Sequence, residues 1–126
     1  MNIMVTLPIR VVNELNEHKS FWVRQRRAKR QHRTVGLALA QRLRRIELPL
    51  VVTMTRIAPR SFDSDGTVAS MKHVRDAIAK LLCVDDGSEA IRWECAWRKG
   101  KPKEFAVEIR IEKILGPTRG PEGGQQ

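Results

Sequence analysis

The sequence predicts an α+β fold, a small mixed sheet packed against two helices in the order β-α-β-α-β-β. Two stretches with apolar residues at spacings of three and four mark the helices, and four stretches of alternating or β-branched residues mark the strands. The chain has 126 residues, 41% of them hydrophobic, and a chain of that length buries roughly two thirds of its unfolded surface. One core forms without disulfide staples.

Ile3, Val5 and Leu7 alternate with polar or small residues, a short strand that ends at Pro8 because proline has no N–H for the ladder. Ser20 then offers an N-cap. From there to Arg45, Ala28, His32, Val35, Leu39, Leu43 and Ile46 recur at helical spacing and should face the core. Gly36 interrupts this long basic helix at a cost of about 1 kcal/mol against Ala, which suggests close packing there. Leu50 to Ile57, bracketed by Pro49 and Pro59, is rich in Val, Thr and Ile and reads as a second strand. A second amphipathic helix follows from about Thr67 to Leu82, carrying Met71, Val74, Ile78, Leu81 and Leu82. Asp85-Asp86-Gly87-Ser88 is a turn. Ile91, Trp93, Cys95 and Trp97, then Phe105, Val107, Ile109 and Ile111, alternate with polar or small residues as two half-buried strands. The short basic turn Lys99-Gly100-Lys101-Pro102-Lys103 between them predicts an antiparallel hairpin, with Trp93 and Trp97 in the core. Residues 1–115 are expected to form the single domain, and the Gly/Pro-rich 116–126 a disordered tail.

Composition narrows the function. Lys and Arg number 24 against 14 Asp and Glu, a formal charge of +10 that favours a polyanionic partner, most often nucleic acid. Most of the excess sits on one segment. Between Glu17 and Glu47 no acid occurs, while Lys19, Arg24, Arg26, Arg27, Lys29, Arg30, Arg33, Arg42, Arg44 and Arg45 all fall there. Of these, Arg24, Arg26, Arg27, Lys29, Arg30 and Arg33 are the candidate DNA contacts. No apolar run is long enough to span a membrane, and the N-terminus lacks the pattern of a secretory signal, so a cytoplasmic protein is expected. Cys83 and Cys95 follow no metal or redox spacing and are expected to be reduced and buried. The three His lie in unrelated segments with no recognisable motif.

In so basic a chain the acids are informative. Asp63 and Asp65, separated by one residue, project to one side of an extended or turn backbone, an arrangement suited to a hard cation. Asp85 and Asp86 form a second pair. Asp65, Lys72 and Asp76, at i, i+7 and i+11 of the second helix, fall on one polar stripe, placing a lysine near the carboxylates. Carboxylate-held Mg²⁺ with a nearby lysine suits phosphodiester hydrolysis, in which charge on the phosphate must be neutralised and a water deprotonated.

These residues resemble a known family. The run Asp63-Ser64-Asp65-Gly66, Lys72 and Asp76 in the following helix, and Val84-Asp85-Asp86-Gly87 are similar to the acidic core of RusA-like Holliday junction resolvases. Leu7-Pro8 after the first strand, then Asn16, Trp22 and the Arg24 to Arg30 cluster, resemble the N-terminal half of phage and prophage members, so the likeness covers roughly residues 3 to 113. It implies a homodimeric endonuclease that cuts four-way DNA junctions by paired symmetric nicks, with Mg²⁺ (Mn²⁺ as the alternative) as its only cofactor. Asp63, Asp65 and Asp86 are then metal ligands, joined in the metal set by Asp85, which supports Asp86, and Lys72 is the essential lysine; Asp63, Asp65, Lys72 and Asp86 form the catalytic set. Two departures stand out: Gly66 replaces the Asn that usually follows the paired aspartates, and the spacing from Asp65 to Lys72 is longer than in the best-known members.

Other classes remain open on residues alone. A basic DNA-binding protein without catalysis, a decayed resolvase, accounts for the charge and leaves the aspartates as loop or cap residues. A nucleotide-sugar transferase using the DxD pair fits poorly, since the chain is too short for the usual nucleotide-binding domain and too basic.

Overall fold

A computed structural model describes residues 2–12, 20–44, 46–60, 64–85 and 87–114, with the side chains of Ser64 and Asp65 excepted. The tail expected over 116–126 lies outside them. The architecture is α+β, a four-stranded mixed sheet with helices, in strand order β1-β4-β2-β3.

Strand β1 (Asn2–Leu7) buries Ile3 and Leu7, and past Pro8 the Ile9 N–H donates to Leu7 O at 2.8 Å, bending the chain off the sheet. Helix α1 (Phe21–Leu43) begins where expected, with the Ser20 hydroxyl accepting from Val23 N–H at 3.3 Å. Its stripe of Gln31, Val35, Leu39 and Leu43 is buried. Gly36 departs from expectation: a Cβ there would meet nothing within 4 Å, so no close packing calls for the glycine.

Strand β2 (Leu50–Ala58), entered through a cis Leu48–Pro49 peptide, lies inside the sheet with Leu50, Val52 and Met54 fully buried. The stretch predicted as one helix is two, α2 (Ser64–Ser70) and α3 (Lys72–Leu81). The register breaks at Met71, whose N–H donates to Val68 O three residues back, while the buried Ser70 hydroxyl donates to Thr67 O at 2.8 Å. Serine bonded back to the preceding turn competes with the regular ladder, and the buried Met71 side chain anchors the joint in the core. Asp65 therefore does not share a continuous helical stripe with Lys72 and Asp76.

The predicted hairpin does not form. Strand β3 (Ile91–Lys99) runs parallel to β2 at the sheet edge, while β4 (Ala106–Lys113) inserts antiparallel between β1 and β2. Burial decides the placement. Val107, Ile109 and Ile111 are fully buried, as a strand with neighbours on both sides requires, whereas Arg92, Glu94, Ala96 and Arg98 of β3 stay exposed. The connection crosses the end of β2, where Gly100 N–H donates to Ala58 O at 2.9 Å. A Cβ on Gly100 would stand 2.9 Å from Glu104 Oε1, 3.1 Å from Ile57 Cγ2 and 3.2 Å from Glu104 O, so a larger residue there would have to displace the Glu104 side chain and press on Ile57. Lys101 to Glu104 then turns with Pro102 followed by Lys103 at φ 64, the pattern of a type II turn.

Edge placement also corrects the expectation for Trp97. Exposure rises along β3, and Trp97 is 39% exposed, with its Nε1–H donating to Ala58 O at 3.1 Å. Trp93 is half-buried and packs on the core with the Arg75 guanidinium 4.9 Å from its ring centroid. Both cysteines are free, yet Cys83 is exposed rather than buried, because it sits in the turn that ends α3 at φ 57. Burial pushes the half-buried Cys95 thiol up, with Arg75 opposing. Among the described residues no helix is long and apolar enough to cross a membrane.

Candidate nucleic-acid interface and adjoining cleft

Because α1 packs only one stripe inward, the rest of its circumference faces solvent, and the sequence fills that surface with cations. Arg24, Arg26, Lys29, Arg30 and Arg33 are exposed, and Arg27 is half-buried. Arg26, Lys29 and Arg33 stand at i, i+3 and i+7, one line along the helix. Trp22 extends this line toward the N-terminus at 70% exposure, its ring edge-on to Phe21 with centroids 5.4 Å apart.

Helices α1 and α3 pack side by side, and a cleft of about 400 Å³ runs along their outer seam. Ala28 and His32 of α1 form one wall; Lys72, His73, Asp76 and Lys80 of α3, with Asp85 beyond it, form the other. Lys72 and Asp76 are one helical turn apart, so the part of the predicted stripe that survives the break at Met71 is the part facing this cleft. Asp85 is exposed and held in a local turn: its Oδ1 accepts from Gly87 N–H at 3.4 Å, and its carbonyl from Ser88 N–H at 2.9 Å.

The predicted site is thus placed in part. Lys72 and Asp85 line one cleft beside the basic helix. The backbone of Asp65 lies in the first turn of α2; its side chain, and all of Asp63 and Asp86, fall outside the described residues. Among the described residues no group of three or more His, Cys, Asp or Glu comes together to hold a metal ion. Of the predicted ligands, only Asp85 has a described side chain.

The fold also joins two histidines that look unrelated in the chain. His32 and His73 come from different helices and line the same cleft. Desolvation, then Lys80, holds the His32 imidazole below its ordinary value near 6.5; Asp76 opposes this and His73 adds to it. The signal available beforehand was His73, Asp76 and Lys80 at i, i+3 and i+7 on the face beside the apolar stripe, which says only that they share a surface.

Compared with known proteins, the sequence matches no protein-family model and no curated protein.

Proposed function

We propose that the chain is a Mg²⁺-dependent endonuclease of the RusA-like Holliday junction resolvase type, acting as a homodimer on four-way DNA junctions. The observation that carries this reading is the adjacency of two features: the exposed cations of α1, and a cleft at the flank of the same helix that holds Lys72, Asp76 and Asp85. DNA laid along α1 neutralises its phosphates on Arg24, Arg26, Lys29 and Arg33, and the neighbouring backbone comes within reach of the cleft. There the Lys72 ammonium supplies positive charge to a phosphate in transition, as a flexible point charge. Asp63, Asp65 and Asp86, supported by Asp85, would hold the metal, which when bound neutralises the scissile phosphate and lowers the pKa of a bound water. A four-way junction has approximate two-fold symmetry and needs two nicks, so two copies of a one-site chain match it.

A second reading keeps the DNA contacts without hydrolysis. It is favoured by Gly66, which stands buried inside α2 where the resembled family carries an amide side chain. One experiment separates the readings: end-labelled four-way junction, linear duplex and single strands are incubated with the wild type and Lys72→Ala, with and without Mg²⁺. The proposal expects Mg²⁺-dependent nicks in opposed junction strands and a single-turnover rate roughly a hundredfold lower for Lys72→Ala at unchanged affinity. Junction binding without nicks supports the second reading, and absence of DNA binding refutes both.

A further inference from the structure

Aromatic residues are scarce in this chain, three Trp, three Phe and no Tyr in 126 residues, and two of them stand together on the surface at the head of the basic helix. Phe21 is 57% exposed and Trp22 70%. The other tryptophans are engaged by the fold: Trp93 packs on the core, and Trp97 gives its indole N–H to Ala58 O. Burying a ring of this size is among the larger favourable terms open to a small domain, so an aromatic pair left in water is a surface for a partner to cover. The fold also holds the pair in place. Both residues lie in the first turn of α1, where the Ser20 hydroxyl accepts from Val23 N–H at 3.3 Å, so the rings stand on a capped helix end. They meet edge to face with planes 77° apart, an arrangement that takes at most one face of the indole. At its exposure the other face is open to solvent.

The residues beside the rings select the partner. Trp22, Arg26, Lys29 and Arg33 stand at i, i+4, i+7 and i+11, so one line of the helix runs from an aromatic face into three exposed cations. The helical rise puts Trp22 about 6 Å before Arg26, close to two steps of a stacked strand at roughly 3.4 Å each. A strand whose phosphates follow the cations therefore brings a base to the ring one or two nucleotides further on. Cations that track a backbone, combined with an aromatic face, are the means by which proteins hold unpaired bases, since every base has a π-face and stacking needs no hydrogen-bond readout. A base inside a continuous duplex is stacked on both sides and presents no face to a ring outside it. A lipid surface fits less well. It takes up a helix by its apolar face, and the apolar face of α1, with Val35, Leu39 and Leu43, is buried in the core.

We propose that Trp22, braced by Phe21, is a stacking platform for one unpaired base of the DNA strand that lies along α1, so that the chain prefers strands with interrupted stacking to continuous duplex. On a four-way junction the branch point, where stacking is interrupted, is the place that offers such a base. This rests on the DNA-binding part of the proposed function and not on cleavage.

The test is binding in EDTA of labelled oligothymidine, linear duplex and four-way junction by the full chain and its Trp22→Leu, Trp22→Phe and Arg26→Ala variants. Trp22 is exposed, so its replacement leaves the core intact, which circular dichroism checks. Trp22→Leu should weaken oligothymidine binding about tenfold and junction binding in the same direction, leave the duplex within about twofold, and keep the salt slope; Arg26→Ala should flatten the slope on oligothymidine by about 0.7. Trp22→Phe should restore most of the lost affinity, because a smaller ring still stacks. Oligothymidine should also quench the tryptophan emission of the wild type and not that of Trp22→Leu, which keeps only Trp93 and Trp97. Equal losses on duplex and oligothymidine, wild-type affinity of Trp22→Leu for oligothymidine, or a flattened slope in Trp22→Leu would overturn the platform and leave the junction reading standing. Light scattering that finds Trp22→Leu monomeric where the wild type is dimeric would overturn it too, making the ring a contact between copies. Trp22-dependent binding of oligothymidine with no binding of the junction would keep the platform and refute the junction reading. No binding of any DNA overturns both, and emission that then answers to phosphatidylglycerol vesicles would identify a lipid partner instead.

Discussion

Replacing Arg26 and Arg33 together by Ala probes the basic face where its geometry is simplest. Both side chains are exposed on one line of α1, and seven residues of helix separate them by about 10 Å along the axis, too far to share one phosphate. Each contact to duplex backbone contributes about 0.9 to the log–log slope of affinity against salt, so the double variant should flatten that slope by about 1.8. Between 50 and 200 mM salt the wild type should then lose roughly tenfold more affinity than the variant. Anisotropy of a labelled junction in EDTA reads this directly, with no dependence on cleavage. Arg92→Ala/Arg110→Ala is the matched control, since both positions are exposed on the sheet face turned away from the core and the same net charge is removed. An equal flattening in the control would mean that overall charge governs binding. An unchanged slope in the α1 variant would mean that the helix face does not touch DNA, and either outcome refutes the reasoning. Loss confined to particular sequences would point to base contacts instead.

Two further outcomes test the fold and the cleft. Ile109 is fully buried between Val5 and Met54, so Ile109→Ala should lower unfolding free energy by about 2 to 5 kcal/mol in urea titration, whereas Arg110→Ala should change it by less than about 0.5 kcal/mol; similar values for both would contradict a central β4. His32 is held below its ordinary value near 6.5, so in acid the unfolded chain takes up its proton before the folded one does. Its contribution to stability is therefore complete above about pH 6.5 and declines as the pH falls through that value toward the lower folded one. His32→Gln should remove this decline between pH 7 and 5, and a wild type that gains stability over that range relative to the variant would reverse the sign.

The strands and the long helix were legible because their signals are local. Ser20 caps α1, Pro8 ends β1, and the alternation in 91–99 and 105–111 gives strands at those places. Pairing was not legible. Alternation tells which face of a strand is apolar and is silent on which strand lies beside it, so a short turn between two alternating segments reads as a hairpin whether or not the two strands pair. What decides otherwise is the competition for the central place, and the fully buried Val107, Ile109 and Ile111 win it from a β3 whose outer residues are Arg92, Glu94 and Arg98. The break at Met71 is hidden for a similar reason: the apolar stripe begins at Met71 itself, so its period carries no information on the residues before it, and only the hydrogen bonds of Ser70 and Met71 reveal the change of register. In the candidate site, Lys72, Asp76 and the α1 cations were found from sequence because each lies on a helix face set by period. The His32 and His73 pair was not, since it is brought together by packing between helices remote in the chain.

Packing also determines how the two halves of the proposed site relate. Val35 and Leu39 of α1 and Val74 and Ile78 of α3 are fully buried in one apolar cluster, so the two helices share a core rather than a hinge. Densely packed interiors do not let one helix slide past another without opening voids, and each lost methylene contact in such a core has a cost of order 1 kcal/mol. The cations of α1 and the lysine at the start of α3 are consequently held in a fixed mutual arrangement. On the proposed reading, a strand seated by α1 already has its position relative to Lys72 set, and binding energy collected on the basic face orients a phosphate at the cleft rather than being lost to helix rearrangement.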